Sequence, residues 1–97
     1  MENKILQLSD QYNLYKADVK EKKYFLFNLH DGSIFRLNEV SFTMLSLFDG
    51  KKTVGAVENM LKDMYNTDIE KLKKDFSEMV SHWVQKEILI VGGKNEE

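Results

Sequence analysis

The chain reads YFLFNLHDGSIFRLN over residues 24–38, and this stretch decides the fold. Residues 24–29 are apolar almost without interruption, which is typical of a central strand that is covered on both faces. The Asp-Gly pair at 31–32 suits the positive φ angles of a tight hairpin turn. Residues 33–37 therefore return as a neighbouring strand. Asn38 can then cap a helix, because its side-chain oxygen accepts a hydrogen bond from an exposed backbone amide.

A further strand is predicted on the N-terminal side of this hairpin. Residues 12–17 alternate bulky and polar side chains, which is the pattern of a half-buried strand. A charged turn at 20–23 joins it to the apolar strand. The three strands form an antiparallel meander, in which the third strand, residues 33–37, is an edge. Residues 1–11 are mostly polar and are expected to be a flexible N-terminal segment.

Three helices are predicted after the meander. The first covers about residues 38–48 and is ended by the Asp-Gly pair at 49–50, with glycine in the left-handed conformation. Thr53 caps the second helix. A Thr-Asp-Ile-Glu capping box at 67–70 begins the third helix, whose apolar stripe extends over residues 69–83.

The order of the elements predicts the fold class. A short strand at 88–91 follows the helices, and residues 92–97 are expected to be a disordered tail. Strands that precede a run of helices indicate an α+β domain rather than an alternating one. The second and third helices, joined by a short turn, form a helix-turn-helix with the sheet as its wing. We therefore predict one domain over residues 12–91, a winged helix-turn-helix made of a three-stranded antiparallel meander followed by three helices.

Composition narrows the classes of function. The 97 residues contain no cysteine, which excludes disulfides, thiolate metal sites and a cysteine nucleophile. No apolar run approaches the ~20 residues that a membrane helix needs, and no secretory signal follows Met1. We therefore expect a cytoplasmic protein with no membrane partner. With 14 basic and 16 acidic residues, the net charge is −2, and the chain lacks the basic excess typical of nucleic-acid binders.

The sequence carries no pattern typical of catalysis or of a metal site. The two histidines, His30 and His82, have no second ligand at a metal spacing such as i, i+4. The scattered glycines form no phosphate-binding loop, and no carboxylate stands in the apolar context that acid–base catalysis needs. We therefore predict no enzyme activity, no metal and no cofactor.

The third predicted strand is poorly protected for an edge. An exposed edge presents unpaired amides and carbonyls, which proteins usually shield with proline, lysine or other charges. Residues 33–37 contain no proline and no lysine, and Arg36 is their one charge. Such an edge can accept a peptide as an additional strand, with main-chain hydrogen bonds providing affinity and side-chain pockets providing specificity. The alternative is an ordinary edge covered by the first ten residues.

Two motifs at a fixed spacing resemble a known family. Arg36-Leu37-Asn38-Glu39 is followed about ten residues later by Asp49-Gly50-Lys51-Lys52-Thr53-Val54. In PqqD-like proteins a leucine-asparagine pair opens the first helix, and an Asp-Gly, a basic residue and a Thr-Val open the second. The resemblance covers about residues 12–91, because the Asp-Gly hairpin and the long third helix match as well. One local departure is Ala56, which stands where a capping-box acid would be.

The resemblance implies a winged helix-turn-helix that recognises precursor peptides instead of DNA, a RiPP recognition element of natural-product biosynthesis. Such domains bind the leader segment of a ribosomally synthesised precursor peptide and deliver it to a modifying enzyme, such as a radical-SAM maturase, a cyclase or a leader peptidase. The leader adds as a strand beside the third strand and lies in a groove against the third helix. We therefore expect a non-catalytic adaptor. A winged-helix DNA-binding transcriptional regulator and a protein–protein module without a peptide ligand are the alternatives.

The expected peptide-binding residues come from the third strand and the third helix. One flank of that helix carries Lys73, Ser77 and Val80, and the other carries Asp75, Glu78 and His82. The sequence does not choose between the flanks. With the first flank, the predicted peptide-binding residues are Ser33, Ile34, Phe35, Arg36, Leu37, Lys73, Phe76, Ser77, Val80 and Val84.

Overall fold

The computed structural model describes residues 3–65 and 68–92. In chain order the elements are β1 (Ile5–Leu8), β2 (Tyr12–Asp18), β3 (Lys22–Asn28), β4 (Ile34–Leu37), α1 (Glu39–Leu47), β5 (Asp49–Thr53), α2 (Val54–Met64), α3 (Ile69–Gln85) and β6 (Leu89–Val91). The α+β class is therefore confirmed. No helix within the described ranges combines the length and the apolarity that crossing a bilayer requires.

One sheet has the order β2-β3-β4, with both pairs antiparallel. It corresponds to the predicted meander, and its β3–β4 hairpin turns at Gly32, whose φ is +80°. The Asp31 Oδ1 atom accepts a hydrogen bond from the Ser33 N–H at 2.9 Å, which holds the turn in place. The third predicted strand is thus β4, at one edge of this sheet.

A second sheet, of order β5-β1-β6, was not predicted. The expectation of a flexible segment over residues 1–11 is wrong for residues 5–8, because these form β1, the central strand of that sheet. Leu6 of β1 is only 2% exposed, so the strand is held by burial as well as by pairing on both sides. Gly92 of the expected tail donates its N–H to the Ile5 oxygen at 2.8 Å, and residues 93–97 lie outside the described ranges.

The region between α1 and α2 also differs from the expectation of a simple helix stop. Gly50 has the predicted positive φ, +80°, but it lies within strand β5. A Cβ atom on Gly50 would stand 2.5 Å from the Gln7 Oε1 atom of β1. Glycine is therefore favoured there by the backbone angle, whereas the contact would require only that the end of the Gln7 side chain move aside.

The helices begin at polar caps. The Asn38 Oδ1 atom accepts a hydrogen bond from the Ser41 N–H at 2.8 Å, and the Thr53 Oγ1 atom accepts one from the Ala56 N–H at 3.1 Å, as predicted. Helix α3 is capped by Asp68, whose Oδ1 atom accepts from the Glu70 N–H at 2.9 Å. The predicted cap Thr67 lies outside the described residues. These short-range contacts satisfy amides that a helix start leaves unpaired.

The core lies between the helices and both sheets. Its buried members include Leu6 of β1, Leu26 of β3, Met44 of α1, Leu61 of α2 and Val80 of α3. Because buried members come from every layer, the two sheets and the three helices share a single core.

Strand β3 is central in its sheet, but the prediction that it is covered on both faces is wrong. The buried Leu26 lies on the helix side, whereas Phe25 and Phe27 alternate to the other side and stay half-buried. They stand beside Tyr15 of β2, whose exposure is 52%. An apolar run in the sequence does not distinguish a fully covered face from a half-buried aromatic one.

Candidate functional site

Strand β4 pairs with β3 on one side, and among the described residues no strand pairs with its other side. The Ser33 carbonyl accepts from the Asn28 N–H at 2.8 Å, so the main-chain groups of Ser33 point towards β3. Hydrogen-bonding direction alternates along an antiparallel strand. The main-chain groups of Phe35 therefore also point towards β3, and those of Ile34 and Arg36 point outwards. These outward amides and carbonyls are the groups that an added strand would use.

The side chains of β4 divide between two sides of the sheet. Phe35 lies opposite the buried Leu26, so it faces the helices, although 48% of its surface is exposed. Ile34 and Arg36 lie on the opposite side, where the Arg36 guanidinium stands over the Phe25 ring at 5.8 Å. A peptide added beside β4 would therefore place alternate side chains on the helix side and on the outer side of the sheet.

A groove of about 540 Å³ begins at the end of β4 and runs between α1 and α3. Its wall is apolar where Val40, Met44, Leu72 and Met79 approach one another, and charged side chains stand along its rim. The residues that line it are Asn38, Val40, Met44, Tyr65, Lys71, Leu72, Asp75, Phe76, Glu78 and Met79. An apolar groove beside an open strand edge provides both parts of a strand-addition site.

The flank of α3 that lines this groove is the one with Leu72, Asp75 and Met79. Lys73, Ser77 and Val80 line instead a smaller groove of about 330 Å³, together with Val54 and Glu58 of α2. The structure therefore places Asp75 and Glu78 of the second predicted flank in the groove that Asn38, directly after β4, also lines, whereas Lys73, Ser77 and Val80 line the other groove.

Other residues of the predicted set have different positions. Phe76 is 4% exposed and lies between the two grooves, lining both. Val80 is fully buried, so it belongs to the core. Val84 lines a depression with Leu6, Leu89 and other residues of the second sheet. His82 lines neither groove of α3.

The sequence reasoning missed four apolar groove residues, Val40, Met44, Leu72 and Met79. Leu72 and Met79 are spaced seven apart on the apolar stripe of α3, yet both remain only half-buried. Seven-residue spacing places two side chains on the same face of a helix. That spacing was available as a signal, but it did not reveal that this part of the stripe is left partly uncovered.

The electrostatics of the site are mild. Lys71, Asp75 and Glu78 on the rim are all exposed. The hydrogen bonds from the Ser33 amide and hydroxyl lower the pKa of Asp31 at the turn that leads into β4. Among the described residues, no three His, Cys, Asp or Glu side chains are grouped closely enough to hold a metal ion. The open edge of β4 and the apolar groove are suited to binding an extended peptide.

Two comparisons with known proteins bear on this site. The family described as Coenzyme PQQ synthesis protein D (PqqD) matches residues 23–89, more than half of the chain. The chain is also similar to TbiB1, solved in complex with the TbiA(beta) leader peptide. The identity is 22%, the TM-score is 0.64, and the match covers 86% of this chain and 93% of that one, which shows a common fold. No curated protein sequence gives a match.

Proposed function

Since the chain belongs to the PqqD family, we propose that it binds the leader segment of a ribosomally synthesised precursor peptide and presents it to a modifying enzyme. The observation that carries this proposal is the open edge of β4 beside the apolar groove of α1 and α3. The likeness to TbiB1 adds support, because that protein was solved with a leader peptide bound.

In the proposed complex the leader lies along β4 as a fourth strand of the meander. Its main chain exchanges hydrogen bonds with the outward amides and carbonyls of Ile34 and Arg36. Each net hydrogen bond contributes about 1 kcal/mol, so the edge provides register and direction more than affinity. Most of the affinity comes from apolar leader side chains that enter the groove against Leu72 and Met79. These two residues replace Lys73, Ser77, Val80 and Val84 in the proposed site.

The protein acts in this proposal as an adaptor without chemistry of its own. Helices α2 and α3, with the meander as a wing, are interpreted as a winged helix-turn-helix whose groove binds peptide. A radical-SAM maturase, a cyclase and a leader peptidase are the classes of enzyme that it would serve.

Duplex DNA is the weaker candidate ligand. On α3 the cations Lys71, Lys73 and Lys74 alternate with Glu70, Asp75 and Glu78. A helix that reads the major groove needs a basic, base-contacting face, and phosphate contacts give a steep dependence on salt. Tight, salt-sensitive retardation of a duplex at ~50 mM salt would favour the regulator instead.

The test is a titration of the protein into a fluorescein-labelled leader peptide, taken from a precursor gene next to the gene for this chain. We expect saturable anisotropy with a micromolar or lower Kd. The absence of saturation below ~100 μM, about −5.5 kcal/mol, would contradict the proposal.

Amide chemical shifts then locate the peptide. Changes are expected in residues 33–37 and around Leu72 and Met79 of α3. Changes confined to the smaller groove, at Lys73, Ser77 and Glu58, would mean that the flank of α3 next to α2 binds the peptide instead.

A further inference from the structure

The side of the meander that faces away from the helices, which we call the outer face, carries a cluster of apolar side chains and two cations. Its apolar centre consists of Tyr15, Phe25, Phe27 and Ile34. Its two cations are Lys23 and Arg36. The strand register places these side chains together: Tyr15 lies opposite Phe25, and Phe25 lies opposite Arg36. All six alternate with residues that face the helices.

The centre of the outer face is aromatic and accessible. The ring of Tyr15 stands 6.3 Å from that of Phe25 and 5.9 Å from that of Phe27. Tyr15 is 52% exposed and Ile34 is 58% exposed. The solvated face of an antiparallel sheet is normally polar. A contiguous exposed apolar patch with a polar rim is typical of a protein interaction site.

The charge on the outer face determines what can cover it. Lys23 and Arg36 both lie on this side, and none of the outward positions of β2, β3 and β4 is a carboxylate. The chain as a whole has a net charge of −2, so this face is opposite in sign to the rest of the molecule. Charge complementarity across an interface favours a partner patch that is negative.

We propose that the outer face docks a partner protein through a patch of apolar side chains surrounded by carboxylates. A second copy of this chain fits poorly, because face-to-face packing would put four cations and no outward carboxylate of the strands into one interface. Single-stranded nucleic acid also stacks on aromatic side chains, but it needs a basic groove that follows its backbone. Two cations on a chain of negative net charge do not provide one.

The outer face lies next to the edge of β4, but the outer face is formed by side chains and the edge by main-chain groups. The side chains of Ile34 and Arg36 belong to the outer face, whereas their main-chain amides and carbonyls point along the sheet to the open edge. A protein docked on the outer face would therefore lie next to a peptide added at β4. This inference goes beyond the proposed function, since the surface exists whether or not a leader binds.

The test is a selection against the full chain from a phage-displayed library of small three-helix proteins randomised on one exposed helix face. We expect the enriched binders to carry aromatic or aliphatic residues together with Asp and Glu. The double variant Tyr15→Thr with Lys23→Glu should weaken them at least tenfold. The control is Val19→Ser, which changes the 91% exposed residue in the β2–β3 turn and should leave binding unchanged.

The outcomes separate this inference from the leader proposal. The double variant changes neither β4 nor the groove, so it should bind the labelled leader as the wild type does. Met79→Glu should do the reverse, losing the leader while keeping the selected binders. The inference is overturned if no binder is enriched, or if the binders tolerate the double variant. It is also overturned if sedimentation shows a dimer that the double variant abolishes, or if oligothymidylate displaces the binders.

Discussion

The meander has two edges, and they are built differently. On β4 the outward main-chain groups belong to Ile34 and Arg36, and the strand contains no lysine. On β2 the Gln11 carbonyl accepts from the Leu29 N–H, so alternation turns the groups of Leu14, Lys16 and Asp18 outwards. The charged side chains of Lys16 and Asp18 stand at this second edge, and such charges discourage pairing with another strand.

The two edges also differ in what lies beside them. The groove between α1 and α3 begins at Asn38, directly after β4, and no residue of β2 lines it. An unprotected edge alone would be a hazard for aggregation, and a groove alone would lack a register for a peptide main chain. Their combination at β4 is therefore what distinguishes the proposed binding edge from β2.

The largest effect is expected from a charge placed in the groove. Met79→Glu puts a carboxylate in an apolar wall next to Asp75 and Glu78. We expect leader affinity to fall about 100-fold, ~2.8 kcal/mol, because the buried charge is unpaired. Ser81→Glu adds the same charge at an exposed position of α3 outside the groove and should change affinity less than about twofold. Equal losses of leader affinity in the two variants, measured by anisotropy, would show that the groove is not part of the leader-binding site.

A second pair of variants compares the edges directly. Arg36→Pro and Lys16→Pro each remove an outward N–H from an exposed edge position, where proline is tolerated. Arg36→Pro should weaken leader binding about tenfold, ~1.4 kcal/mol, and Lys16→Pro should leave it unchanged. Arg36→Ala separates the lost amide from the lost side chain. Both proline variants must melt cooperatively. A comparable loss in Lys16→Pro would mean that β2 is the docking edge.

The third prediction concerns the turn that leads into β4. Gly32 has φ +80°, and a Cβ atom there would meet nothing within 4 Å. Gly32→Ala should therefore cost about 1 kcal/mol of unfolding free energy through the backbone angle alone. Urea denaturation measures the loss. A synthetic chain with D-alanine at position 32 should recover it, and failure to recover would indicate a steric cause instead.

The smallest effect is a pH dependence at the same turn. Hydrogen bonds from Ser33 lower the pKa of Asp31 below its ordinary value of 3.8. The stabilisation is therefore present above pH 3.8 and is lost as the pH falls through the lower, folded-state pKa. A carbon-detected NMR titration of the Asp31 carboxyl should give a midpoint below 3.8. Ser33→Ala, which removes the hydroxyl donor, should move that midpoint upwards, and an unchanged midpoint would exclude this hydrogen bond as a cause.

Much of the fold was predictable because its signals are local. The hairpin at Gly32 and the caps at Asn38 and Thr53 depend on hydrogen bonds or angles within three residues. The second sheet was missed for the opposite reason. Strand β1 has four residues and pairs with Thr53 and Leu89, partners far away in the sequence. A short polar-flanked apolar segment does not indicate which distant strands it joins.

The same distinction between local and long-range signals applies to the candidate site. The absence of proline and lysine from residues 33–37 can be read directly from the sequence, and the structure makes β4 an edge strand. The flank of α3 that lines the groove could not be read from the sequence, because it depends on how the helix is rotated against α1 and α2. That rotation places Met79 in the groove and turns Ser77 towards Glu58. Such a rotation is set by the packing of the whole core around Phe76 and Val80.

The pairing of β1 with β6 brings the two ends of the fold together. Leu6 lies opposite Val91, and the Gly92 N–H bonds to the Ile5 oxygen, so the chain enters and leaves on adjacent antiparallel strands, about 5 Å apart. A domain with this closure can be spliced into a surface loop of a larger host without stretching that loop. The same closeness of the ends is the geometry in which circular permutation, with β1 and β6 joined by a short linker, is generally tolerated. Removing the first eight residues, in contrast, would remove the central strand β1 and leave β5 and β6 without the strand that each of them pairs with.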